Sequence, residues 1–488
     1  MPLPLSSNST KPPALLPSCS SASAAAASPE ARRILHNLCT ITSSSHLPSL
    51  LLDIVRDGLH FNSAVAAAFI SSSFSLLSPR PALLLFSLLR LPPPFVCNTL
   101  MRSLLSLRPS APLFLFHQMH LSSLPANHHT FPILLKSLSV LRFFNSGISL
   151  HSHILKLGYL LDSYISSSLL HFYALCSNDS NSALHLFDEL PQRGVVAWST
   201  LIAGLTRAGR PVDALIVFER MHFAGVTPNR VTMVSALVAC AAHGHALDFG
   251  EWIHRQTIHN GWELHVVLGT ALVDMYCKHG RINSGLDVFL RMPQRSVFTW
   301  NSLIQGFALV KGGPQAMKWF LKMEEEGIRP DPITLIGVLT ACSHSGLVEP
   351  GRKIFDMVIR GKFGFEAGIK HYGCMVDLYG RAGMLDSAVE CIQSMPFEPN
   401  VVIYGSLLAG SRARKKMNLS EFAARRLVEL QPENAAHYVL LSNLYVEMGR
   451  WREAEEVRKF MKEGSLRKES GWALTERDDM EEYVKQAV

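Results

Sequence analysis

The chain has 488 residues, 48% of them hydrophobic, which is ample for an extended core, and no window has the pattern of a strand-rich fold. Its 46 basic and 39 acidic residues leave a net charge of +7, which permits a polyanionic partner without requiring one. Nine cysteines without a CxxC pair argue against a disulfide framework or a zinc site and favour a reducing compartment.

Residues 1–30 have the composition of an organelle transit peptide. The first 29 contain one lysine, no acidic residue and many serines, alanines and prolines. The alternative is a disordered low-complexity tail, because both interpretations rest on composition. Abundant serine and few arginines favour a plastid, whereas Arg32 and Arg33 are compatible with a mitochondrion. We therefore expect an organellar protein, with the plastid favoured.

The most apolar window is "AVAAAFISSSFSLLSPRPALLLFSLLRL" at 64–91. A serine run, Arg80 and two prolines interrupt it, whereas a membrane-spanning helix needs roughly 18 or more continuous apolar residues. We therefore predict no membrane span and interpret the window as helices of a degenerate repeat.

A long repeat dominates the middle of the chain. The segment "WSTLIAGLTRAGRPVDALIVFERMHFAGVTPN" at 198–229 returns as "WNSLIQGFALVKGGPQAMKWFLKMEEEGIRPD" at 300–331, 102 positions later. Sub-repeats of 35, 36 and 31 residues account for this period. Units of this size cannot bury their own apolar face and do so against their neighbours, which indicates a solenoid.

Each unit has the pattern of a helical hairpin, shown here for 195–229. Leu201, Ile202 and Leu205 share one face of a first helix, and apolar residues recur at helical spacing in a second. A turn is expected at 208–210, before Pro211 in the first turn of the second helix. The fold predicted is an all-α solenoid of tandem helical hairpins.

These hairpins resemble the motifs of plant pentatricopeptide repeat proteins. "VVAWSTLIAGLTRAGRPVDALIVFERMHFAGVTPN" is similar to the P motif, "RVTMVSALVACAAHGHALDFGEWIHRQTIHNGWELH" to the long L motif and "VVLGTALVDMYCKHGRINSGLDVFLRMPQRS" to the short S motif. The resemblance implies a right-handed superhelix similar to tetratricopeptide repeats. The expected organisation is as follows: degenerate L and S motifs at 31–93; P-L-S triplets at 94–194, 195–296 and 297–400; two E motifs at 401–468; and a short tail at 469–488.

The resemblance also implies no enzymatic activity of this chain's own. Family members that deaminate cytidine carry a domain with HxE and CxxC zinc-binding signatures. Neither signature occurs in these 488 residues. The histidines near 128, 151 and 153 recur at L-motif positions and are expected on helix surfaces or in the core. We expect no catalytic residue, no metal and no cofactor.

Two positions of each motif are implied to read RNA bases, one base per repeat. They are the fifth residue, on the first helix, and the last residue before the next motif. Four pairs obtain an expected base: Asn301 with Asp331 for uracil, Ser199 with Asn229 for adenine, Asn98 with Asn127 for a pyrimidine, and Thr270 with Ser296 for a purine. Two further pairs obtain none: Ser167 with Gly194, and Gly373 with Asn400.

The second residue of each of four motifs is apolar: Phe95, Val196, Val267 and Phe298. These side chains either wedge between successive bases, where stacking contributes about 1–3 kcal/mol per base, or belong to the core at the start of each helix.

Three functions remain open at this point. The first is a site-recognition factor for C-to-U editing of single-stranded organelle RNA, which recruits a DYW-type deaminase in trans and binds small accessory editing factors. The second is an RNA-binding factor for splicing, RNA stability or translation. The third is a protein-binding scaffold similar to tetratricopeptide proteins, which does not account for the alternating motif lengths. A monomer is expected in each case.

Overall fold

The protein is entirely helical in the part of the chain that the computed structural model describes, residues 28–89, 91–177, 181–190 and 193–463. Three 3₁₀ turns lie at Ser44–His46, Leu59–Phe61 and Tyr159–Leu161. The α-helices are, in chain order, α1 Pro29–Thr40, α2 Leu47–Arg56, α3 Ser63–Ser75, α4 Pro79–Leu88, α5 Pro94–Leu105, α6 Ala111–Leu121, α7 Thr130–Leu141, α8 Phe144–Lys156, α9 Ser163–Cys176, α10 Ser182–Glu189, α11 Val195–Arg207, α12 Pro211–Phe223, α13 Arg230–Ala242, α14 Leu247–His259, α15 Val266–Lys278, α16 Ile282–Arg291, α17 Val297–Leu309, α18 Gly313–Glu325, α19 Pro332–Ser345, α20 Val348–Ile359, α21 Ile369–Ala382, α22 Leu385–Gln393, α23 Val401–Ala413, α24 Met417–Leu430, α25 Ala435–Glu447 and α26 Trp451–Glu463.

These helices form consecutive hairpins, in which odd-numbered helices are the first members and even-numbered helices the second. The chain divides into two compact units, one up to Ala239 and one from Cys240. In the first unit, the first helices from α1 to α11 pack on one another in chain order, and those from α15 to α23 do so in the second. Second helices pack on the first helices beside them. The predicted fold class, an all-α solenoid of tandem hairpins, is confirmed.

The hairpin predicted at 195–229 is present with its expected boundaries. Helix α11 ends at Arg207, Gly209 has a positive φ of 78° in the turn, and Pro211 is the first residue of α12. Leu201, Ile202 and Leu205 are fully buried, as expected of the face that packs against neighbouring first helices. Apolar periodicity and turn residues therefore predicted this local structure correctly.

The 102-residue period also appears in the packing. Phe187 meets Trp198 edge to face with ring centroids 4.5 Å apart, and Phe289 meets Trp300 in the same way at 4.8 Å. Both contacts join the end of one S motif to the first helix of the next P motif. Edge-to-face pairs add to the free energy of burial, so equivalent contacts hold successive triplets in the same register.

Both predicted terminal segments lie largely outside the described part of the chain. The first 27 residues of the expected transit peptide at 1–30 lie outside the described part of the chain, and helix α1 begins at Pro29. The tail at 469–488 and the last residues of the second expected E motif also lie outside it. Among the described helices, none has the length and apolarity required to cross a membrane.

Close packing of α21 on α23 predicts opposite effects for two alanine substitutions in the same helix. A Cβ at Gly410 would lie 2.7 Å from the Gly380 Cα, whereas a Cβ at Gly405 would meet no atom within 4 Å. Because backbone cannot rotate away, Gly410→Ala should lower the free energy of unfolding by about 1–3 kcal/mol. Gly405→Ala should leave it unchanged or raise it by up to about 1 kcal/mol.

Urea denaturation of the two variants and the parent protein measures both changes. Equal stabilities for the two variants would contradict the close approach of these helices.

Candidate functional site

A row of apolar side chains is exposed at the second position of successive first helices. The four predicted residues, Phe95, Val196, Val267 and Phe298, are between 53% and 66% exposed, so they are not part of the core. The same position is exposed in further motifs. We define the second-position row as Phe95, Tyr164, Val196 and Val231 in the first unit and Val267, Phe298, Ile333 and Val402 in the second.

The fifth-position side chains lie three residues further along, less than one helical turn, and are mostly buried. Asn98, Ser199 and Asn301 are at most 6% exposed, and Thr270 is half-buried. Buried amides and hydroxyls need hydrogen-bond partners, because an unpaired polar group inside a protein is costly. These partners come from the start of the next motif.

Asn301 and Asp331 are in direct contact although they are 30 residues apart. The Asn301 Nδ2 donates to Asp331 Oδ1 at 3.0 Å. Thr334 joins both side chains, because its backbone N–H donates to Asp331 Oδ1 at 2.7 Å and its hydroxyl donates to Asn301 Oδ1 at 2.6 Å. Asp331 is also the N-cap residue of α19, so the cap brings the predicted pair together.

The same arrangement occurs with Asn98 and Asn127 in the first unit. Asn98 Nδ2 donates to Asn127 Oδ1 at 3.0 Å, and the Thr130 hydroxyl donates to Asn98 Oδ1 at 2.9 Å. The backbone N–H of His129 donates to Asn127 Oδ1 at 3.0 Å. This oxygen therefore faces the protein.

Ser199 and Asn229 are joined through Thr232. The hydroxyls of Ser199 and Thr232 lie 2.6 Å apart, and Ser199 also donates to the Val195 carbonyl at 2.7 Å. The backbone N–H of Thr232 donates to Asn229 Oδ1 at 2.9 Å. The amide oxygen of Asn229 is thus occupied by the helix start.

Thr270 and Ser296 are joined through Thr299 by hydroxyl groups alone. The Thr270 and Thr299 hydroxyls are 2.7 Å apart, and those of Ser296 and Thr299 are 3.1 Å apart. Because a hydroxyl can donate or accept, this pair has no single polarity.

Capping determines which side-chain atom of the last residue of a motif is left without a protein partner and is available to a ligand. A backbone N–H can only donate, so it takes an oxygen of the capping side chain. Among the described residues, no partner occupies Asp331 Oδ2, Asn229 Nδ2 or Asn127 Nδ2. An aspartate cap therefore leaves an acceptor, and an asparagine cap leaves a donor.

The four threonines at these joints, Thr130, Thr232, Thr299 and Thr334, were missed by the sequence analysis. Each is the third residue of its motif and is fully buried. The signal was present in the sequence, because each threonine follows an Asn, Ser or Asp by three residues, which is the spacing of a capping box. The structure records a complete capping box at Ser296 with Thr299 and at Asp331 with Thr334.

The two pairs without an expected base lack this threonine. In the motif that follows the pair of Ser167 and Gly194, the third residue is Ala197. In the motif that follows the pair of Gly373 and Asn400, it is Ile403. Asn400 still caps α23, since its Oδ1 accepts from the Ile403 N–H at 3.2 Å.

A histidine takes the third position in α21. His371 Nδ1 accepts from the Gly368 N–H, and its Nε2 lies 3.0 Å from the Pro332 carbonyl, to which it donates. Burial lowers the pKa of His371, although its hydrogen bond to the Pro332 carbonyl acts in the opposite direction. The imidazole is therefore neutral in the folded protein at neutral pH.

Of the histidines named in the sequence analysis, His151 has a structural partner, and His254 at the equivalent position of the next L motif has a partner of the same kind. His151 Nδ1 and His254 Nδ1 each lie 2.9 Å from a tyrosine hydroxyl, those of Tyr173 and Tyr276. Within the described ranges, no group of three or more His, Cys, Asp or Glu side chains is placed to hold a metal ion.

Comparison with family models identifies repeats and a C-terminal motif. The model of the PPR repeat family matches residues 193–242. The model of the PPR repeat matches residues 270–297, 298–328 and 370–398. The E motif model matches 415–476.

Two curated relatives from Arabidopsis thaliana are similar over most of the chain. Pentatricopeptide repeat-containing protein At3g47530 is 36% identical over 90% of this chain and 76% of its own length. Pentatricopeptide repeat-containing protein At1g77170, mitochondrial, is 35% identical over 75% of this chain and 79% of its own length.

The fold is similar to that of a solved structure, the pentatricopeptide repeat protein PPR10 in complex with an 18-nucleotide psaJ RNA element. The TM-score is 0.66 at 17% identity, and the match covers 89% of this chain and 64% of that one.

Acidification should destabilise the protein through His371. Its pKa is lowered in the folded state, so its contribution to stability is full above the unfolded pKa of about 6.5 and is lost as the pH falls below that value. We expect a lower free energy of unfolding at about pH 5.5 than at about pH 7.5, and a smaller decrease in His371→Gln, which keeps a donor and an acceptor.

Urea denaturation of both proteins at the two pH values measures this difference. Equal decreases in the parent and the variant would show that His371 does not contribute.

Proposed function

The chain belongs to the pentatricopeptide repeat family, and on that premise we propose that it binds single-stranded organelle RNA sequence-specifically as a site-recognition factor for C-to-U editing. The observation that carries the proposal is the contact of Asn301 with Asp331, which leaves a defined donor and acceptor side by side. The fold shared with a pentatricopeptide repeat protein crystallised with RNA supports the same conclusion.

Asn301 with Asp331 suits uracil. Asn301 has one amide hydrogen beyond the one that it donates to Asp331, and Asp331 has its second carboxylate oxygen. This oxygen can accept the N3–H of uracil while the amide hydrogen donates to a uracil carbonyl. Cytosine would place the lone pair of its N3 against the carboxylate, so uracil is favoured.

The asparagine caps suit other bases for the same reason. Asn229 offers Nδ2, which can donate to N1 of adenine but not to the N1–H of guanine, and the Ser199 hydroxyl is linked to Asn229 through Thr232. Asn127 also offers Nδ2, which suits the acceptors of a pyrimidine. Thr270 with Ser296 has hydroxyls of either polarity and is assigned a purine with less selectivity.

The second-position row supplies the base-independent part of binding. Its aromatic and aliphatic side chains are exposed within one helical turn of the paired residues. Stacking on such side chains contributes about 1–3 kcal/mol per base and tolerates any base. With a net charge of only +7, selectivity depends on the base contacts of the paired residues more than on counterion release.

The E motif at 415–476 is the feature that favours editing over simple RNA occupancy. In this proposal its hairpins recruit a deaminase in trans, and small accessory editing factors bind the L motifs. The relative named mitochondrial supports an organelle as the location, whereas the preference for a plastid rests on composition alone.

Exchanging the cap should change the base that is preferred. The wild-type protein should bind an RNA of about 12 nucleotides with uracil facing the Asn301 pair about 5- to 100-fold more tightly than its cytosine counterpart. Asp331→Asn keeps the cap but replaces the acceptor by a donor, so it should abolish or reverse this ratio. Fluorescence anisotropy at constant salt measures the affinities.

Phe298→Ala serves as the control for this exchange. It removes a stacking surface and should weaken both RNAs equally. A ratio near one for the wild-type protein would contradict sequence-specific reading at this pair.

The editing role is tested by sequencing plastid and mitochondrial RNA from plants that lack this protein. We expect loss of C-to-U conversion at one or a few cytidines, with uracil about six, adenine about nine and a pyrimidine about twelve nucleotides upstream, for one base per repeat. The wild-type gene should restore editing, and the Asp331→Asn variant should not. Unchanged editing with a mis-spliced or depleted transcript would replace this role by the splicing or stability function.

A further inference from the structure

The buried threonine at the third position of a motif lies between the two residues that are proposed to read the preceding base. Thr334 and Thr130 are both fully buried, so neither can touch RNA. Each nevertheless bonds to a fifth-position asparagine of the preceding motif, 33 and 32 residues away along the chain. Any effect of these threonines on RNA must therefore pass through another residue.

The hydrogen bonds around Thr334 have only one consistent polarity. The backbone N–H of Asp331 donates to Thr334 Oγ1 at 3.1 Å. The hydroxyl must then use its single hydrogen as a donor, and Asn301 Oδ1 at 2.6 Å is nearer than Asp331 Oδ1 at 2.9 Å. Asn301 Oδ1 is thus an acceptor from the protein, and its Nδ2 faces Asp331.

Thr130 has the same polarity in the first unit. The Asn127 N–H donates to Thr130 Oγ1 at 3.1 Å, and the hydroxyl donates to Asn98 Oδ1 at 2.9 Å. Both asparagines are therefore held with Nδ2 toward the capping residue. Without the hydroxyl, each amide would keep only the contact of its Nδ2 with the capping oxygen, so its orientation would be held less firmly.

We propose that Thr334 and Thr130 are specificity-determining positioning residues, which select the base at the preceding motif by holding the amide of Asn301 or Asn98 in one orientation. This inference rests on the proposed reading of RNA by the Asn301 and Asn98 pairs. An amide held only by its contact with the capping residue could more readily turn its oxygen toward the base and accept from the amino group of cytosine, so base selectivity would fall while stacking remained.

The pairs with a hydroxyl at the fifth position, those of Ser199 and Thr270, can be compared with the two asparagine pairs. Thr232 and Thr299 face Ser199 and Thr270, whose hydroxyls have no distinct ends to exchange. Removal of the hydroxyl of Thr232 should therefore change selectivity less than the same substitution at Thr334.

The experiment compares Thr334→Val with Thr334→Ser in the full-length protein. Two RNAs of about 12 nucleotides differ only in uracil or cytosine at the base facing Asn301. The wild-type protein and Thr334→Ser should prefer uracil by at least about fivefold, and Thr334→Val should bind the two within about twofold of each other. Thr340→Val is the matched control: this residue lies in the same helix, with its hydroxyl 3.4 Å from Cys374 Sγ, and should retain the preference.

Two further measurements separate positioning from a loss of folding. Preference for adenine at the base facing Ser199 reports on the rest of the protein and should survive in Thr334→Val. In an Asn301→Ala background, adding Thr334→Val should have no further effect on the ratio of affinities, because Thr334 acts through Asn301.

The outcomes distinguish a failure of base reading by the Asn301 pair from a failure of the positioning role of Thr334. If the wild-type protein does not prefer uracil, the proposed reading fails and this inference fails with it. If the wild-type preference persists unchanged in Thr334→Val, or if both RNAs are weakened equally, RNA reading stands and the positioning role is overturned.

Discussion

The contacts between successive motifs depend on the capping of a first helix by the last residue of the preceding motif, as at Asp162, Ser296, Asp331 and Asn400. A helix begins with backbone N–H groups that lack intrahelical partners, and a side-chain oxygen can satisfy them. Asp331 does this for α19 and Asn400 for α23, each through Oδ1. Because one side of the capping group is committed to the helix, its other side has a fixed polarity. Folding and the proposed base selection thus use the same residue.

Repeat packing determines where these caps meet their partners. Phe187 with Trp198 and Phe289 with Trp300 hold equivalent helices at equivalent places, one period apart. In each unit the first helices pack on one another in order, which brings residues about 30 positions apart to hydrogen-bond distance, as with Asn301 and Asp331. A solenoid therefore repeats the same contact between the fifth residue of one motif and the start of the next motif. Substitutions at this contact can change its hydrogen-bonding groups without changing how the helices pack.

The second and fifth positions of a first helix differ in exposure and therefore in the contacts that they can make. Phe298 at the second position is exposed, whereas Asn301, less than one turn later, is buried against the next motif. In the proposed function the first supplies stacking for any base, and the second supplies selectivity from a site held by the protein. Burial of Asn301 matters because a hydrogen bond discriminates best where competing water is excluded and the donor is held in place.

The sequence by itself determined the helical hairpins and their period, because apolar spacing, turn residues and motif length are local properties of the chain. The fifth and last residues could be named from the resemblance to a family, and the exposure of Phe95 or Val196 agrees with one of the two alternatives for them. Only the tertiary structure decided that Asn98 and Asn301 are buried and bonded to a threonine of the next motif. The capping spacing around Thr334 was readable, but its bond to Asn301 was not, because that contact exists only once neighbouring hairpins pack.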